Sequence, residues 1–179
     1  MKNKLGQIQI YTGNGKGKTT AALGLAMRAR GRNLRVAIVF FDKGGLNYGE
    51  RKILKQIGVD FWVSGCLRFN AKTKQFRFGV TEEDRKSASH GLDIACEILS
   101  KGKYDLVILD EINSTTHLKM LDVKDVVEVI KSKNISTELV MTGRNAPIKL
   151  KKLATLITEM KLVKHYFYNK IEAREGIEY

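Results

Sequence analysis

The run Thr12-Gly13-Asn14-Gly15-Lys16-Gly17-Lys18-Thr19-Thr20 concentrates the residue types that hold a polyphosphate. Glycines let a backbone turn its N–H groups inward around an anion, and the start of a helix adds positive field at the same point. A lysine at the end of such a loop reaches phosphate oxygens, and the hydroxyl that follows it sits on a magnesium ion; here these are Lys18 and Thr19. The usual pattern opens with a glycine in the place that Thr12 occupies. The loop therefore keeps its Gly17-Lys18-Thr19 end and has an altered beginning, which points to a polyphosphate held in an unusual register. The bland alternative is a glycine-rich turn before a basic helix.

Asp110-Glu111 is the second candidate, closing the apolar run Tyr104 to Leu109. One carboxylate at such a strand end can hold magnesium directly or through water, and the other can orient a water or a lysine. Two acids at a strand end are, by themselves, an ordinary solvated terminus. Beside Gly17-Lys18-Thr19 they read as metal-linked, giving Thr19, Glu111 and Asp110 as candidate magnesium residues.

The elements that must position these groups are legible in the pattern. Gln7 to Tyr11 alternates polar and apolar residues as a strand does, and Thr20 to Arg30 is rich in Ala and Leu as a helix is. Leu34 to Phe41 is a near-continuous apolar run, suited to a parallel strand covered on both faces. A short helix over Tyr48 to Ile57, a strand over Val59 to Val63 and a basic loop from Ser64 to Val80 follow. Thr81 with Asp84 forms a capping-box variant that opens a helix to about Ser100, with Ala88, Leu92, Ala95, Cys96 and Leu99 on one face. Asp122 caps a helix to about Lys133, Thr137 to Thr142 is a strand, Pro147 starts another helix, and Thr155 to Met160 is a last short strand.

This alternation predicts one α/β domain over residues 1–179, a phosphate-loop (RecA-like), mostly parallel sheet with helices on both faces. Ligands of such sheets sit at the carboxyl ends of the strands. The phosphate loop, Asp42-Lys43, the basic loop after Val63, Asp110-Glu111 and Gly143-Arg144 all fall on that edge.

The chain carries 32 Lys and Arg against 19 Asp and Glu, a formal charge of +13. No acid precedes Asp42, and Phe61 to Thr81 is a second acid-free stretch. Such basic faces attract polyphosphates, nucleic acids or other anions, and charge alone does not choose among them. No apolar run of membrane-spanning length and no signal peptide are evident, so the expectation is a cytoplasmic protein with no membrane partner. Cys66 and Cys96 are too few and too far apart for a metal cluster, and none of His90, His117 and His165 is assigned to a metal.

The residues now single out a family. The chain resembles the ATP:corrinoid adenosyltransferases of the CobA/CobO/BtuR type. The resemblance runs through Tyr11 to Ala22, Gly49-Glu50-Arg51, Leu109 to Asn113 and Thr142 to Pro147. It continues through Thr158-Glu159-Met160 and Val163-Lys164-His165 to Ala173-Arg174 and Gly176 to Tyr179, and the altered loop start belongs to it. It implies ATP and a reduced corrinoid as substrates. Co(I) attacks the 5′ carbon of the ribose and triphosphate leaves intact. ATP lies reversed, its terminal phosphate deep in the loop.

By that resemblance Asn14, Gly15, Lys16, Gly17, Lys18, Thr19 and Thr20 hold the triphosphate, with Lys18 and Glu111 catalytic. Arg28 matches an arginine near the phosphates, though helical geometry equally allows a solvated surface role; Arg144 touches nucleotide or corrinoid, or forms a cap. The family further implies a homodimer and a flavoprotein or flavodoxin reductant.

Two departures concern the corrinoid side, where Cys66, Arg68, Phe69 and Arg144 are the candidates. Several members carry a longer N-terminal segment over the corrinoid. The loop after the third strand usually holds Gly-Phe-Thr-Trp, whose aromatics help remove the lower cobalt ligand; the corresponding run is Gly65-Cys66-Leu67-Arg68. Phe69, Phe61 or Trp62 could substitute, or could simply pack the core. The competing classes are a basic phosphate-loop ATPase acting on nucleic acid, and a nucleotide or corrinoid binder without turnover.

Overall fold

The computed structural model describes residues 5–42, 44–45, 48–67, 69–70, 75–77 and 79–178. β1 (Ile8–Thr12) runs into the loop and α1 (Lys18–Arg30). β2 (Val36–Phe40), α2 (Glu50–Gln56) and β3 (Asp60–Val63) follow. The basic loop carries a small antiparallel hairpin, β4 (Phe69–Asn70) with β5 (Gln75–Phe76), which the composition does not announce. Next come α3 (Glu82–Ser100), β6 (Leu106–Asp110), α4 (Ile112–His117) and α5 (Val123–Lys131). β7 (Glu138–Thr142), α6 (Ile148–Lys151), β8 (Leu156–Glu159) and a 3-10 turn (Tyr166–Asn169) complete the order.

Six strands form a single sheet in the order β3-β2-β6-β7-β1-β8, every pairing parallel. Parallel strands place their carboxyl ends on one edge, so the loop after β1, the end of β6 and the turn after β7 converge there. Each central strand sends alternate residues to opposite faces. Val36, Ile38 and Phe40 of β2, Leu106 and Ile108 of β6 and Val140 of β7 pack with Ala22, Ala26 and Ala29 of α1. Ala37, Val39, Val107, Leu109, Leu139 and Met141 pack on the other side, against Ala88, Leu92, Ala95 and Leu99 of α3 and Val126 and Ile130 of α5. The expected helices on both faces are present.

Local chemistry explains the element that braces the basic loop. The Thr81 hydroxyl accepts the Asp84 N–H, and the Asp84 carboxylate accepts the Thr81 N–H at 2.8 Å, so the capping box at α3 is complete. The same carboxylate receives both Nη atoms of Arg77, each at 2.8 Å. The Asp84 side chain is nearly fully buried there, which a carboxylate tolerates only when paired in this way. Cys96, predicted on the apolar face of α3, is only partly buried.

Candidate active site

α1 begins at Lys18 behind Gly17, whose φ of 115° is left-handed; no side chain caps the helix and no acid sits in its first turn. A helix start has amide donors without intrahelical partners. Left without a side-chain cap and flanked by lysines, this one can receive an anion. The Lys18 side chain is buried at 7% exposure, and its ammonium donates to the Gly15 carbonyl at 2.6 Å. Lysine thus folds back across the loop, its charge at the mouth of α1.

The altered loop start has a physical reason. Thr12 is the last residue of β1, 4% exposed, and its hydroxyl accepts the Ala146 N–H at 3.2 Å. A glycine could not make that link to the chain entering α6. Gly13 and Gly15 answer to a second constraint. The Gly15 N–H donates to the Met160 carbonyl at 2.7 Å. A Cβ on Gly15 would stand 2.8 Å from that oxygen and 2.9 Å from the Lys161 carbonyl, a clash of backbone with side chain. A Cβ on Gly13 would likewise lie 2.9 Å from the Met160 nitrogen. These glycines admit the chain beyond β8 against the loop, a requirement that a loop pattern alone does not show.

Across the sheet edge, β7 separates β1 from β6, so the loop and Asp110 are two strands apart, roughly 10 Å. Asp110 is 1% exposed and its Oδ1 accepts the Thr142 hydroxyl at 2.6 Å. The Thr142 hydroxyl oxygen in turn accepts the Glu111 N–H at 2.9 Å. Glu111 holds a left-handed φ of 63°, a conformation uncommon for a residue with a side chain, and its Oε2 accepts Ser114 Oγ at 2.5 Å. The Ser114 hydroxyl oxygen accepts the Arg144 N–H at 2.8 Å. A Cβ on Gly143 would come within 2.7 Å of the Ser114 nitrogen, so glycine lets the turn after β7 close over α4. Thr142 and Ser114 were not among the sequence candidates. Their only signal was a hydroxyl at a strand end and a polar Asn113-Ser114-Thr115-Thr116 run after the acids.

The remaining candidates spread along the edge. Lys16 points away from the loop interior, its ammonium 2.7 Å from Glu178 Oε1. Asn14 Oδ1 accepts the Leu162 N–H at 3.0 Å. Arg28 lies in the last turn of α1, ten residues along from Lys18, about 15 Å down the axis from the loop. Burial, and then Glu138, push the Tyr11 phenol up from its usual range and the Arg28 charge opposes them; the phenol hydrogen-bonds Gln9 at 2.8 Å. On the helix Arg28 is exposed, as the solvated surface role allows.

A family model described as ATP:corrinoid adenosyltransferase BtuR/CobO/CobP matches residues 4–179. The chain belongs to that family. The corrinoid adenosyltransferase of Escherichia coli K12 is 33% identical over 178 residues, covering 99% of this chain and 88% of that one. Corrinoid adenosyltransferase CobA of Salmonella typhimurium is 34% identical over 174 residues, covering 97% and 86%. Among solved structures, the flagellar accessory protein FlaH of Methanocaldococcus jannaschii superposes with a TM-score of 0.56 at 14% identity, covering 87% of this chain and 71% of that one. That likeness speaks for the α/β fold alone. The family makes the chain an enzyme, one that adenosylates corrinoids.

The loop after β3 carries residues expected on the corrinoid side. Cys66 is partly buried there, and burial pushes its thiol up from the usual range. Phe69 begins β4, while Arg68 lies outside the described residues. Arg144 is exposed, tied by its N–H to Ser114. The two nearby aromatics are partly buried, and each packs against a core. Phe61 meets Phe40 edge-on at 6.1 Å and Trp62 meets Tyr104 edge-on at 6.3 Å, each against one of the two cores. The Arg51 of the family-matching Gly49-Glu50-Arg51 run is 8% exposed, its guanidinium 4.6 Å over the Tyr48 ring and 5.3 Å over Phe40. Beside it lies a cleft of about 250 Å³ lined by Tyr48, Lys52, Lys55, Phe61 and Val63, which contains no residue of the phosphate loop.

Proposed function

We propose that this adenosyltransferase transfers the 5′-deoxyadenosyl group of ATP to the Co(I) of a reduced corrinoid and releases triphosphate. One observation carries the ATP part: α1 opens at Lys18 behind a left-handed glycine, with no side-chain cap and no acid in its first turn. Family membership supports the corrinoid part. The cobalt electron pair attacks C5′, the C5′–O bond breaks, and its electrons depart on the triphosphate oxygen. Cobalt is formally oxidised from Co(I) to Co(III). The nucleophile is the substrate's own metal, so no side chain is needed as a base.

The protein's task is then to hold the leaving group. Residues Asn14 to Thr20 surround the triphosphate, through backbone N–H groups at the start of α1 and through the Lys18 ammonium. Charge spread over a departing triphosphate is stabilised by donors already in place, which need no rearrangement as the bond breaks. Thr19 and Glu111, with Asp110 behind, offer the hard oxygen donors suited to magnesium, which neutralises phosphate oxygens when bound. Among the described residues no group of three or more His, Cys, Asp and Glu could hold a metal alone. That fits an ion that takes most of its ligands from phosphate and water. The Ser114 hydroxyl fixes the Glu111 carboxylate, and Thr142 fixes Asp110.

The same reading includes a homodimer, a cytoplasmic setting and a flavoprotein or flavodoxin as reductant; among the described residues no helix is long and apolar enough to cross a membrane. The test is an anaerobic incubation with ATP, magnesium and chemically reduced cob(I)alamin. Formation of a light-sensitive adenosyl-cobalt spectrum supports the assignment. Intact ATP binding with no cobalt–carbon bond from cob(I)alamin or cobyrinic acid diamide contradicts it.

A further inference from the structure

The loop is gripped from outside by the chain that follows β8. The Met160 N–H donates to Thr12 and the Met160 carbonyl accepts from Gly15, at 2.8 and 2.7 Å. Leu162 donates to Asn14 at 3.0 Å. Further along, Lys16 Nζ lies 2.7 Å from Glu178 Oε1, 3.0 Å from the Tyr166 hydroxyl and 3.2 Å from the Ile177 carbonyl. An ammonium has three N–H donors. These three acceptors take all of them.

The rest of the node is built around Glu178. The Arg174 N–H donates to its Oε2 at 2.7 Å and the Arg174 guanidinium to its Oε1 at 3.3 Å. The Tyr166 hydroxyl donates to the same carboxylate. The Arg174 guanidinium sits 4.9 Å over the Tyr166 ring, with Lys16 5.7 Å from the same ring. Arg174, then Lys16 and Tyr166, hold the Glu178 carboxyl well below the usual range. Its side chain is only 18% exposed. A carboxylate beside a polyphosphate loop would ordinarily repel the ligand. Here two cations, Lys16 and Arg174, outweigh its single charge, so it can anchor the loop without opposing an anion.

We propose that Glu178 is a positioning residue that acts on the loop through Lys16, and that Lys16 anchors this strap instead of gripping phosphate with its ammonium. The proposal rests on the reading of the loop as a triphosphate site. It divides the loop by function. Residues 13–16 are pinned on their outer side by the strap, while the inner face of the loop, with Gly17, Lys18 and Thr19, is left to the anion.

The experiment compares Glu178→Gln, Lys16→Met, their double variant and Glu178→Asp with the unaltered full chain. Two readouts are used: amide hydrogen exchange over residues 13–17 without nucleotide, and the dissociation constant for ATP. Each single variant should speed exchange in the loop and weaken ATP about three- to fivefold, the range of a coupled surface charge network. The double variant should be no worse than the weaker single, because both remove one interaction. Glu178→Asp should recover most of the loss. Unchanged loop exchange in Glu178→Gln overturns the proposal. So does tighter ATP binding in that variant, which would mean that Glu178 competes with phosphate for Lys16. A large additional loss from Lys16→Met in the Glu178→Gln background also overturns it, since Lys16 would then be a phosphate ligand. Absence of ATP binding by the unaltered chain would instead overturn the reading of the loop, and hydrogen exchange would still decide the strap.

Discussion

In the proposed reaction Lys18 supplies the cation closest to the leaving triphosphate. Its side chain is buried and already oriented by the Gly15 carbonyl, so Lys18→Ala removes a preorganised charge. Adenosyl transfer should fall on the order of a hundred- to a thousandfold while circular dichroism stays unchanged. A near-normal rate in the folded variant would remove Lys18 from the chemistry. Thr142→Val tests the neighbouring carboxylate, since it takes away the hydroxyl on Asp110 and the acceptor for the Glu111 N–H. Loss of that buried link should lower stability by about 1–3 kcal/mol in urea unfolding and raise the magnesium requirement of turnover. Lys18, Thr19 and Glu111 were legible because a local run of residues defines them. Thr142, Ser114, Tyr166 and Glu178 were not, because each acts on a partner that is far away in the chain or that lies in an unremarkable polar stretch. Lys16 shows the opposite lesson: its place in the motif suggested a phosphate ligand, and only the folded chain reveals the carboxylate that occupies its ammonium.

At the scale of elements, the approach of the segment beyond β8 to the loop is the most demanding contact. Gly15→Ala would press a methyl onto the Met160 and Lys161 backbone, neither of which is a flexible side-chain end. The loop must shift, and ATP affinity should drop on the order of tenfold to a hundredfold in titration calorimetry. The capping box of α3 is a separate test: Thr81→Ala should cost about 1 kcal/mol in thermal or urea unfolding, with adenosyl transfer retained. The central strands could be read from sequence because burial on both faces leaves continuous apolar runs; Leu34 to Phe41 contains the observed Val36–Phe40. β4 and β5 are two residues each, too short for any periodicity. α4 is hidden by its composition, since Asn113-Ser114-Thr115-Thr116 reads as loop. Ile112 anchors it in the core, and the Thr115 and Thr116 hydroxyls are satisfied within it by the Glu111 and Ile112 carbonyls at 2.9 and 2.7 Å. The strap eluded the pattern for a related reason. Residues 160–178 hold mostly exposed side chains, so their place is set by polar contacts with the loop and not by an apolar stripe.

For the molecule as a whole, stability at alkaline pH is tied to the contact between β3 and the start of β6. Burial, and then the hydrogen bond to Asp60 at 2.7 Å, push the Tyr104 phenol up to about 12 from 10.0. The folded state thus favours the protonated phenol. That contribution is complete below pH 10 and disappears as the pH rises toward 12. The urea midpoint of the unaltered chain should fall more between pH 9 and roughly 11.5 than that of Tyr104→Phe. Equal falls would exclude Tyr104 as a source. The charge of +13 adds a long-range component: association with an anionic nucleotide should slow as ionic strength rises, by steering rather than by altered contacts. Whatever the affinity for ATP, the bond that breaks decides the reaction. Phosphorus NMR of an anaerobic turnover with ATP, magnesium and cob(I)alamin reads that bond directly. One intact tripolyphosphate should appear for each cobalt–carbon bond formed; orthophosphate with ADP, or orthophosphate and diphosphate released together at the catalytic rate, would rule out attack at C5′.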